Sequence, residues 1–134
     1  MNFCFLTNET EEVINLINKV FDKNGDINSF KLLDTQKVLL LKDKSRVIGA
    51  TIITLKHDPI MNLNAYYLDY VCIDTEYQHQ GLGRKMFEEI VKDARNNGID
   101  YIELTSGQKR QAARKMYMDC GMTIKDTDVF LMKL

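Results

Sequence analysis

The chain has 134 residues, of which 45% are hydrophobic and 28% charged, and its formal net charge at pH 7 is −1. This mixture is typical of a globular domain and excludes a disordered or membrane-embedded chain. The near-neutral charge argues against a protein whose overall field recruits nucleic acid or anionic lipid. We therefore predict one domain over residues 1–134, with neither nucleic acid nor a membrane as its partner.

The first half of the chain predicts strands and one helix. In order, these are a strand over Phe3–Leu6, a helix whose apolar face is Val13, Ile14, Ile17, Val20 and Phe21, a hairpin of Lys37–Lys42 and Arg46–Leu55, and a long strand over Ala65–Ile73. Residues 26–35 are weakly patterned and allow a short second helix. Residues His57–Asn64 are predicted to form a loop before the long strand.

The second half alternates between helices and strands. In order, these are a helix with Leu82, Met86, Phe87, Ile90, Val91 and Ala94 on one face, a strand over Tyr101–Thr105, a helix with Ala112, Ala113, Met116, Tyr117 and Cys120 on one face, and strands at Thr123–Ile124 and Val129–Leu134. A meander of strands thus leads into strand–helix–strand–helix–strand. This order predicts an α/β domain with one mixed sheet and helices on both faces.

The cysteines and histidines suggest neither a disulfide framework nor a metal site. Cys4, Cys72 and Cys120 are odd in number and far apart, and they form no CxxC pair. With only His57 and His79 beside them, no zinc-ligand spacing occurs. The N-terminus MNFCFLTNET has neither a charged region nor a long apolar core. We predict reduced thiols, no metal and a cytoplasmic location.

One stretch, DTEYQHQGLGRKMFEEI at residues 74–90, places two glycines and a basic pair where a helix begins. Such a helix start attracts anions, although the glycines alone are also explained by a tight turn. A P-loop would need a Ser or Thr after Gly-Lys, and Met86 follows the basic pair instead. A dinucleotide fingerprint would need a third glycine at Met86 and a shorter turn. The preceding meander also disfavours a dinucleotide fold.

The turn Gln78–Arg84 resembles the pyrophosphate loop of the Gcn5-related N-acetyltransferase (GNAT) family. That loop reads [Q/R]-x-x-G-x-[G/A], and Gln78, Gly81 and Gly83 match it. Near the end of the chain, Ala113, Tyr117 and Gly121 follow the family's A-x-x-x-Y-x-x-x-G spacing. The resemblance covers residues 66–122 by motif, and the predicted elements extend it over nearly all of the rest.

The resemblance implies a fold and a set of cofactor contacts. The fold is a mostly antiparallel sheet of six to seven strands, splayed between the fourth and fifth strands. Acetyl-CoA is the implied co-substrate, with its pantetheine arm on the fourth strand, its pyrophosphate on the loop and its 3′-phosphate near Lys85 or Arg110. The implied cofactor-binding residues are Val71, Cys72, Ile73, Gln78, His79, Gln80, Gly81, Leu82, Gly83, Arg84 and Arg110.

The resemblance also implies catalytic roles. Tyr117 is the expected general acid, since a phenol is protonated at neutral pH and can donate to the leaving thiolate. Asp69 is a candidate general base, with a buried ion pair as the alternative. Strand alternation predicts that Asp69 shares a face with Val71 and Ile73. Cys72 is disfavoured as a nucleophile because no histidine is near it in sequence.

Together these residues predict an N-acetyltransferase that acts on the amine of a small molecule, with a protein amine as a further option. The alternative is a module that binds acetyl-CoA without turnover. Tyr66, Tyr67 and Tyr70 are expected either to line the acceptor cleft or to pack the sheet. A homodimer is compatible with an exposed edge strand near the C-terminus.

Overall fold

The structure is a computed structural model that describes residues 1–134, with five strands and three helices. These are β1 (Asn2–Phe5), α1 (Thr10–Phe21), β2 (Gln36–Asp43), β3 (Arg46–Asp58), β4 (Leu63–Ile73), α2 (Leu82–Asn96), β5 (Tyr101–Leu104) and α3 (Gln111–Asp119). Short 3₁₀ turns lie at Ile27–Ser29 and Thr75–Tyr77. The order of elements agrees with the sequence prediction as far as α3.

The strands form one sheet in chain order, β1-β2-β3-β4-β5. The first three pairings are antiparallel, and β4 pairs with β5 in parallel because α2 returns the chain across the sheet. The mixed, mostly antiparallel sheet confirms the predicted fold class. It has five strands rather than six or seven.

Helices cover both faces, because apolar residues alternate along the central strands. On β2, Val38 and Leu40 pack in the cluster under α1, whereas Leu39 and Leu41 pack in the cluster under α2. All four side chains are almost fully buried. A run of consecutive apolar residues is therefore a strand buried on both faces.

The predicted C-terminal strands are wrong. Neither Thr123–Ile124 nor Val129–Leu134 forms a strand, and Val129, Phe130, Leu131 and Met132 are each at least 79% exposed. The alternation that predicted a strand is present. A strand also needs a neighbouring backbone, however, and the segment has none in this chain.

Two loop predictions also need correction. The predicted loop His57–Asn64 is mostly hairpin, since β3 continues to Asp58 and β4 begins at Leu63. Polar side chains made this segment resemble a loop, but they pair across the hairpin: His57 Nδ1 lies 2.8 Å from Asn64 Oδ1. The weak helical pattern in residues 26–35 yields only the 3₁₀ turn.

The sheet opens between β4 and β5. Their pairing ends at Leu68 and Leu104, while β4 continues for five more residues to Ile73. The predicted splay is thus confirmed. It leaves one edge of Asp69–Ile73 without a strand partner.

Candidate active site

A β-bulge shapes the splayed half of β4. Two residues, Tyr70 and Val71, lie opposite one residue of β3, Thr51, and the register shifts there. Tyr70 has φ = 53°, in the left-handed region that a bulky residue seldom adopts. Bulges with such a conformation are frequent next to active sites, where they redirect side chains.

The bulge changes the face on which Asp69 lies. Alternation predicted Asp69 together with Ile73 and opposite Cys72. Cys72 packs in the cluster under α1 and Ile73 in the cluster under α2, while Asp69 pairs with Ile52, which contacts the α1 cluster. The predicted face is therefore wrong, because one extra residue reverses the alternation. No residue type in the sequence marks the bulge, since its left-handed position is a tyrosine.

Asp69 is an exposed carboxylate without a protein partner. Its side chain takes part in none of the salt bridges or hydrogen bonds of the protein, whose ion pairs lie elsewhere. Partial burial raises the pKa of Asp69 above its ordinary value, with no cation to oppose the rise. An unpaired carboxylate with a raised pKa has the properties of a general base.

A buried aspartate anchors the loop that follows β4. Asp74 accepts hydrogen bonds from Lys19 Nζ at 2.8 Å, from Arg46 Nη2 at 3.1 Å and from the Glu76 amide at 3.2 Å. Burial alone would raise the pKa of Asp74, but these bonds outweigh it and the pKa is lowered. The ionised carboxylate thus fixes the start of the loop to α1 and β3. Nothing in the sequence pattern marked this role of Asp74.

The loop ends in a left-handed glycine. Gly81 has φ = 76° and immediately precedes α2, whose first backbone bond runs from Lys85 N–H to Gly81 O at 3.2 Å. The N–H groups of Leu82, Gly83 and Arg84 therefore have no acceptor within the helix. Free amides at the positive end of a helix favour an anion, so the geometry is compatible with the pyrophosphate contact, which stays a prediction.

The side chains of the loop have different surroundings. Gln78, His79 and Gln80 are exposed, and Gln78 Nε2 donates to the carbonyl of Ile73 at 3.0 Å, which ties the loop to β4. Leu82 is buried in the core, so only its backbone N–H is available to a ligand. Arg84 is exposed and lies 3.4 Å from Glu88 one turn further along α2.

Gly49 on β3 makes room for the first turns of α2, a role that sequence patterns missed. A Cβ there would lie 2.8 Å from Met86 Cε and 2.9 Å from Ile73 Cδ1. Met86 is fully buried, and Thr51 Oγ1 donates to its sulfur at 3.0 Å. The bulky residue that argued against a dinucleotide fingerprint is thus accommodated by a glycine on the sheet.

Tyr117 on α3 reaches the splayed region. It is 93% buried, and its ring lies 5.9 Å from that of Phe87 on α2. Its hydroxyl makes no hydrogen bond within the protein, yet it is not sealed from solvent. Burial raises the pKa of Tyr117, and the charge of Arg110 opposes only part of that rise. The phenol therefore keeps its proton at neutral pH and has no competing acceptor.

Arg110, just before α3, extends across to α1. Its guanidinium carbon lies 5.1 Å from the centre of the Phe21 ring, which also packs edge-on against Tyr70 at 5.3 Å. Of the three tyrosines on β4, only Tyr70 is exposed near α1. Tyr66 is buried and donates to Asp93 at 2.8 Å, and the Tyr67 hydroxyl lies 3.2 Å from Thr105 Oγ1.

The thiol of Cys72 does not have the properties of a nucleophile. Burial raises its pKa to about 12, so the thiolate is scarce at neutral pH. All three cysteines are free, and no three His, Cys, Asp or Glu side chains are grouped as metal ligands. The backbone of Val71–Ile73, and not the Cys72 side chain, lines the open edge of β4.

The splay, the loop and α3 thus bring most of the predicted residues to one end of the sheet. Arg110 and Tyr117 both lie near Cys72, because the thiol is coupled electrostatically to the guanidinium and to the phenol. Ser106, two residues after β5, has a buried hydroxyl without a partner. A buried hydroxyl of this kind usually acquires a partner when a ligand binds.

This geometry coincides with a family match. The model of the Acetyltransferase (GNAT) family matches residues 8–122. The chain belongs to the GNAT family. Its members are acetyltransferases that use acetyl-CoA as co-substrate, and the loop, the splay and Tyr117 of this chain all lie within the matched residues.

Solved structures share the GNAT fold at low sequence identity. A ribosomal-protein-alanine N-acetyltransferase from Brucella melitensis biovar Abortus 2308 superposes with a TM-score of 0.84 at 14% identity, over 100% of both chains. An aminoglycoside acetyltransferase from an uncultured soil metagenomic sample, in complex with sisomicin, gives 0.85 at 14% identity, over 99% of this chain and 95% of that one. A putative acetyltransferase from Agrobacterium tumefaciens gives 0.86 at 9% identity, over 99% and 100%.

These identities establish the shared fold and nothing about the acceptor. A comparison with proteins of curated function finds no match. None of the three helices is long and apolar enough to cross a membrane.

Proposed function

We propose that this GNAT protein transfers an acetyl group directly from acetyl-CoA to the amine of a small molecule. The observation that carries the proposal is the cleft beyond Leu68 and Leu104, where β4 and β5 separate. Tyr117, with its unpaired hydroxyl, lies beside that cleft, and the free amides of α2 lie at its end.

Three parts of the chain would hold acetyl-CoA. The amides of Leu82, Gly83 and Arg84 would bind the pyrophosphate, since they lack acceptors and lie at a helix N-terminus. The open edge of Val71–Ile73 would pair with the pantetheine arm as an added strand would. Lys85, which is exposed and forms no ion pair, is one candidate for binding the 3′-phosphate, and Arg110 is the other.

The chemistry needs one base and one acid. The amine nitrogen attacks the thioester carbonyl carbon, a C–N bond forms, and the C–S bond breaks. Asp69, whose carboxylate is unpaired, takes the proton that the amine loses. Tyr117 donates its proton to the departing sulfur, and solvent returns a proton to the phenolate. A backbone N–H on the open edge of β4 would stabilise the oxyanion.

Two features favour a small cationic acceptor. Asp69 is exposed without a counter-ion, and the exposed Tyr70 beside it packs on Phe21, so a carboxylate adjoins an aromatic surface. Ammonium groups bind well where a carboxylate and aromatic rings meet. The acceptors named for the two structural neighbours, an aminoglycoside and a protein alanine, define the ends of the range to be screened.

The decisive experiment compares Tyr117→Phe with wild type in a CoA-release assay over a panel of diamines, polyamines, aminoglycosides and alanine-initiated peptides. We expect kcat to fall by about 10²- to 10⁴-fold, the usual contribution of a general acid. The affinity for acetyl-CoA should stay within a few-fold. Tyr101→Phe, on the exposed side of β5, is the matched control and should retain full activity.

Other outcomes would change the proposal. If wild type releases no CoA above hydrolysis with any amine, while acetyl-CoA still raises its melting temperature, the protein is a binding module without turnover. If Tyr117→Phe keeps full kcat, the assigned acid is wrong. The cytoplasmic location and the single domain over residues 1–134 stay predictions.

A further inference from the structure

Arg110 is, like Asp69, a charged side chain without a partner of opposite charge. It is exposed and takes part in none of the ion pairs of the protein, whereas Arg46 and Arg84 each bind a carboxylate. Its guanidinium carbon instead lies 5.1 Å from the centre of the Phe21 ring. A guanidinium that lies over an aromatic ring keeps its N–H donors free, so it can still bind a carboxylate through two parallel hydrogen bonds.

The contacts of Arg110 place its charge at the bulge of β4. The Phe21 ring beside the guanidinium packs edge-on against Tyr70, with 5.3 Å between the ring centres. The same charge opposes the rise in the pKa of the Cys72 thiol, two residues further along β4. Asp69 directly precedes Tyr70. A free guanidinium and a free carboxylate thus adjoin the same pair of aromatic rings.

The two charges are separated by a gap that a small molecule can bridge. Asp69 and Arg110 form no ion pair with each other, although both adjoin the aromatic pair. From Asp69, the positions of Tyr70 and Cys72 correspond to about 3 Å and about 10 Å along an extended strand. A charge-assisted hydrogen bond takes up about 2.8 Å at each end. This gap suits the amine and the carboxylate of one amino acid.

We propose that the acceptor is a free amino acid, whose amine lies at Asp69 and whose carboxylate is bound by Arg110. The inference rests on the proposed function and names the substrate class of the same site. It keeps the ammonium group that Asp69 attracts and adds a carboxylate to the acceptor. The amine loses one proton to solvent before the attack and a second to Asp69 during it, and the sulfur gains one from Tyr117. The product has no ammonium group, so Asp69 no longer attracts it.

This assignment removes Arg110 from the candidates for the 3′-phosphate. No hydrogen bond, ion pair or ring contact joins Arg110 to the loop Gln78–Arg84, where the pyrophosphate would bind. The charge of Arg110 also opposes the rise in the pKa of Tyr117, which is the proposed acid for the leaving sulfur. Arg110 therefore lies near the thioester end of the cleft. Lys85, at the start of α2, is then left for the 3′-phosphate.

The test compares Arg110→Met with wild type in the CoA-release assay, using amino acids and the primary amides made from them. Methionine keeps an apolar contact with Phe21 but has no charge. The ratio of kcat/KM for an amino acid to that for its amide should fall by about 10- to 100-fold, the usual effect of a hydrogen bond to a charged group. The fall should come from the KM of the amino acid, and Arg110→Lys should restore part of it. Arg95→Gln, an exposed residue without an ion pair in the last turn of α2, is the control and should leave the ratio unchanged.

A second measurement distinguishes an acceptor contact of Arg110 from a cofactor contact. Calorimetry with acetyl-CoA and 3′-dephospho-acetyl-CoA should give the same ratio of affinities in Arg110→Met as in wild type, and a smaller ratio in Lys85→Met. Retained affinity also shows that Arg110→Met is folded. If Arg110→Met abolishes the preference for the 3′-phosphate, Arg110 binds acetyl-CoA and the inference is wrong.

The acceptor panel separates this inference from the proposed function. If wild type acetylates amines but has the same KM for amino acids and for their amides, the amino-acid assignment is overturned while the acetyl transfer stands. If wild type releases no CoA above hydrolysis with any amine, the proposed function fails and the assignment fails with it.

Discussion

Substitution of Gly81 distinguishes the effect of the loop on stability from its effect on ligand binding, because Gly98 provides a matched control. Gly81 precedes α2 with φ = 76°, and Gly98 follows the same helix with φ = 68°. A Cβ at either position would meet no atom within 4 Å. An alanine at either site therefore costs only the left-handed backbone conformation and creates no overlap.

The expected loss of stability is similar for the two variants. A left-handed alanine costs about 1–2 kcal/mol, and the smaller entropy of its unfolded chain returns about 0.4–1 kcal/mol. Gly81→Ala and Gly98→Ala should each lower the free energy of unfolding by about 1 kcal/mol. For a domain of this size, the melting temperature should fall by roughly 4 °C.

Binding should distinguish the two variants. Gly81→Ala disturbs the turn that directs the free amides of α2, so its affinity for acetyl-CoA should fall at least tenfold by calorimetry. Gly98→Ala should keep the affinity of wild type. If both variants bind equally well, the loop does not hold the pyrophosphate. A stability loss above about 3 kcal/mol in Gly81→Ala alone would show that the calculation of the conformational cost is wrong.

Three further predictions concern stability and pH. Asp69→Asn should slow acetylation of a weakly basic amine. It should also remove the rise of the rate with pH, whose midpoint in wild type should lie above the ordinary pKa of aspartate. If that rise is unchanged in the variant, Asp69 is not the base. Gly49→Ala should cost about 1–3 kcal/mol in urea unfolding by overpacking Met86, and a neutral effect would mean that α2 adjusts freely. Lys42 and nearby amides lower the pKa of Glu9 from 4.5 to about 2. Its stabilisation is thus complete above pH 4.5 and is lost as pH falls through 2, so melting curves of Glu9→Gln and wild type should converge in acid.

Much of the site was predictable because it depends on local geometry. A left-handed turn before a helix selects glycine, so Gly81 is visible in the sequence at a fixed distance from Gln78. The spacing from Ala113 to Tyr117 follows the helical period, which places both residues on the face of α3 that packs against the core. Both patterns arise within a few residues of one another along the chain.

The surroundings of Asp69 were not predictable, because the bulge depends on pairing between strands. Tyr70 adopts φ = 53°, although tyrosine does not favour that conformation. Because of the resulting bulge, the residues before Tyr70 lie on the opposite face from the one that alternation with the residues after it predicts. Gly49 likewise has its role only because Met86, 37 positions later, packs against it. Contacts between distant residues leave no local pattern in one sequence.

The sequence by itself determined the order of elements as far as α3 and the turn before α2, since these follow from periodicity and from the backbone freedom of glycine, while its resemblance to the GNAT family predicted the roles of Gln78–Arg84 and Tyr117. Only the tertiary structure decided where β4 leaves β5, which face carries Asp69, and whether Val129–Leu134 becomes a strand. Alternation shows that a segment can pair, but the hydrogen bonds of a strand belong to two backbones. The second backbone is fixed only when the chain has folded.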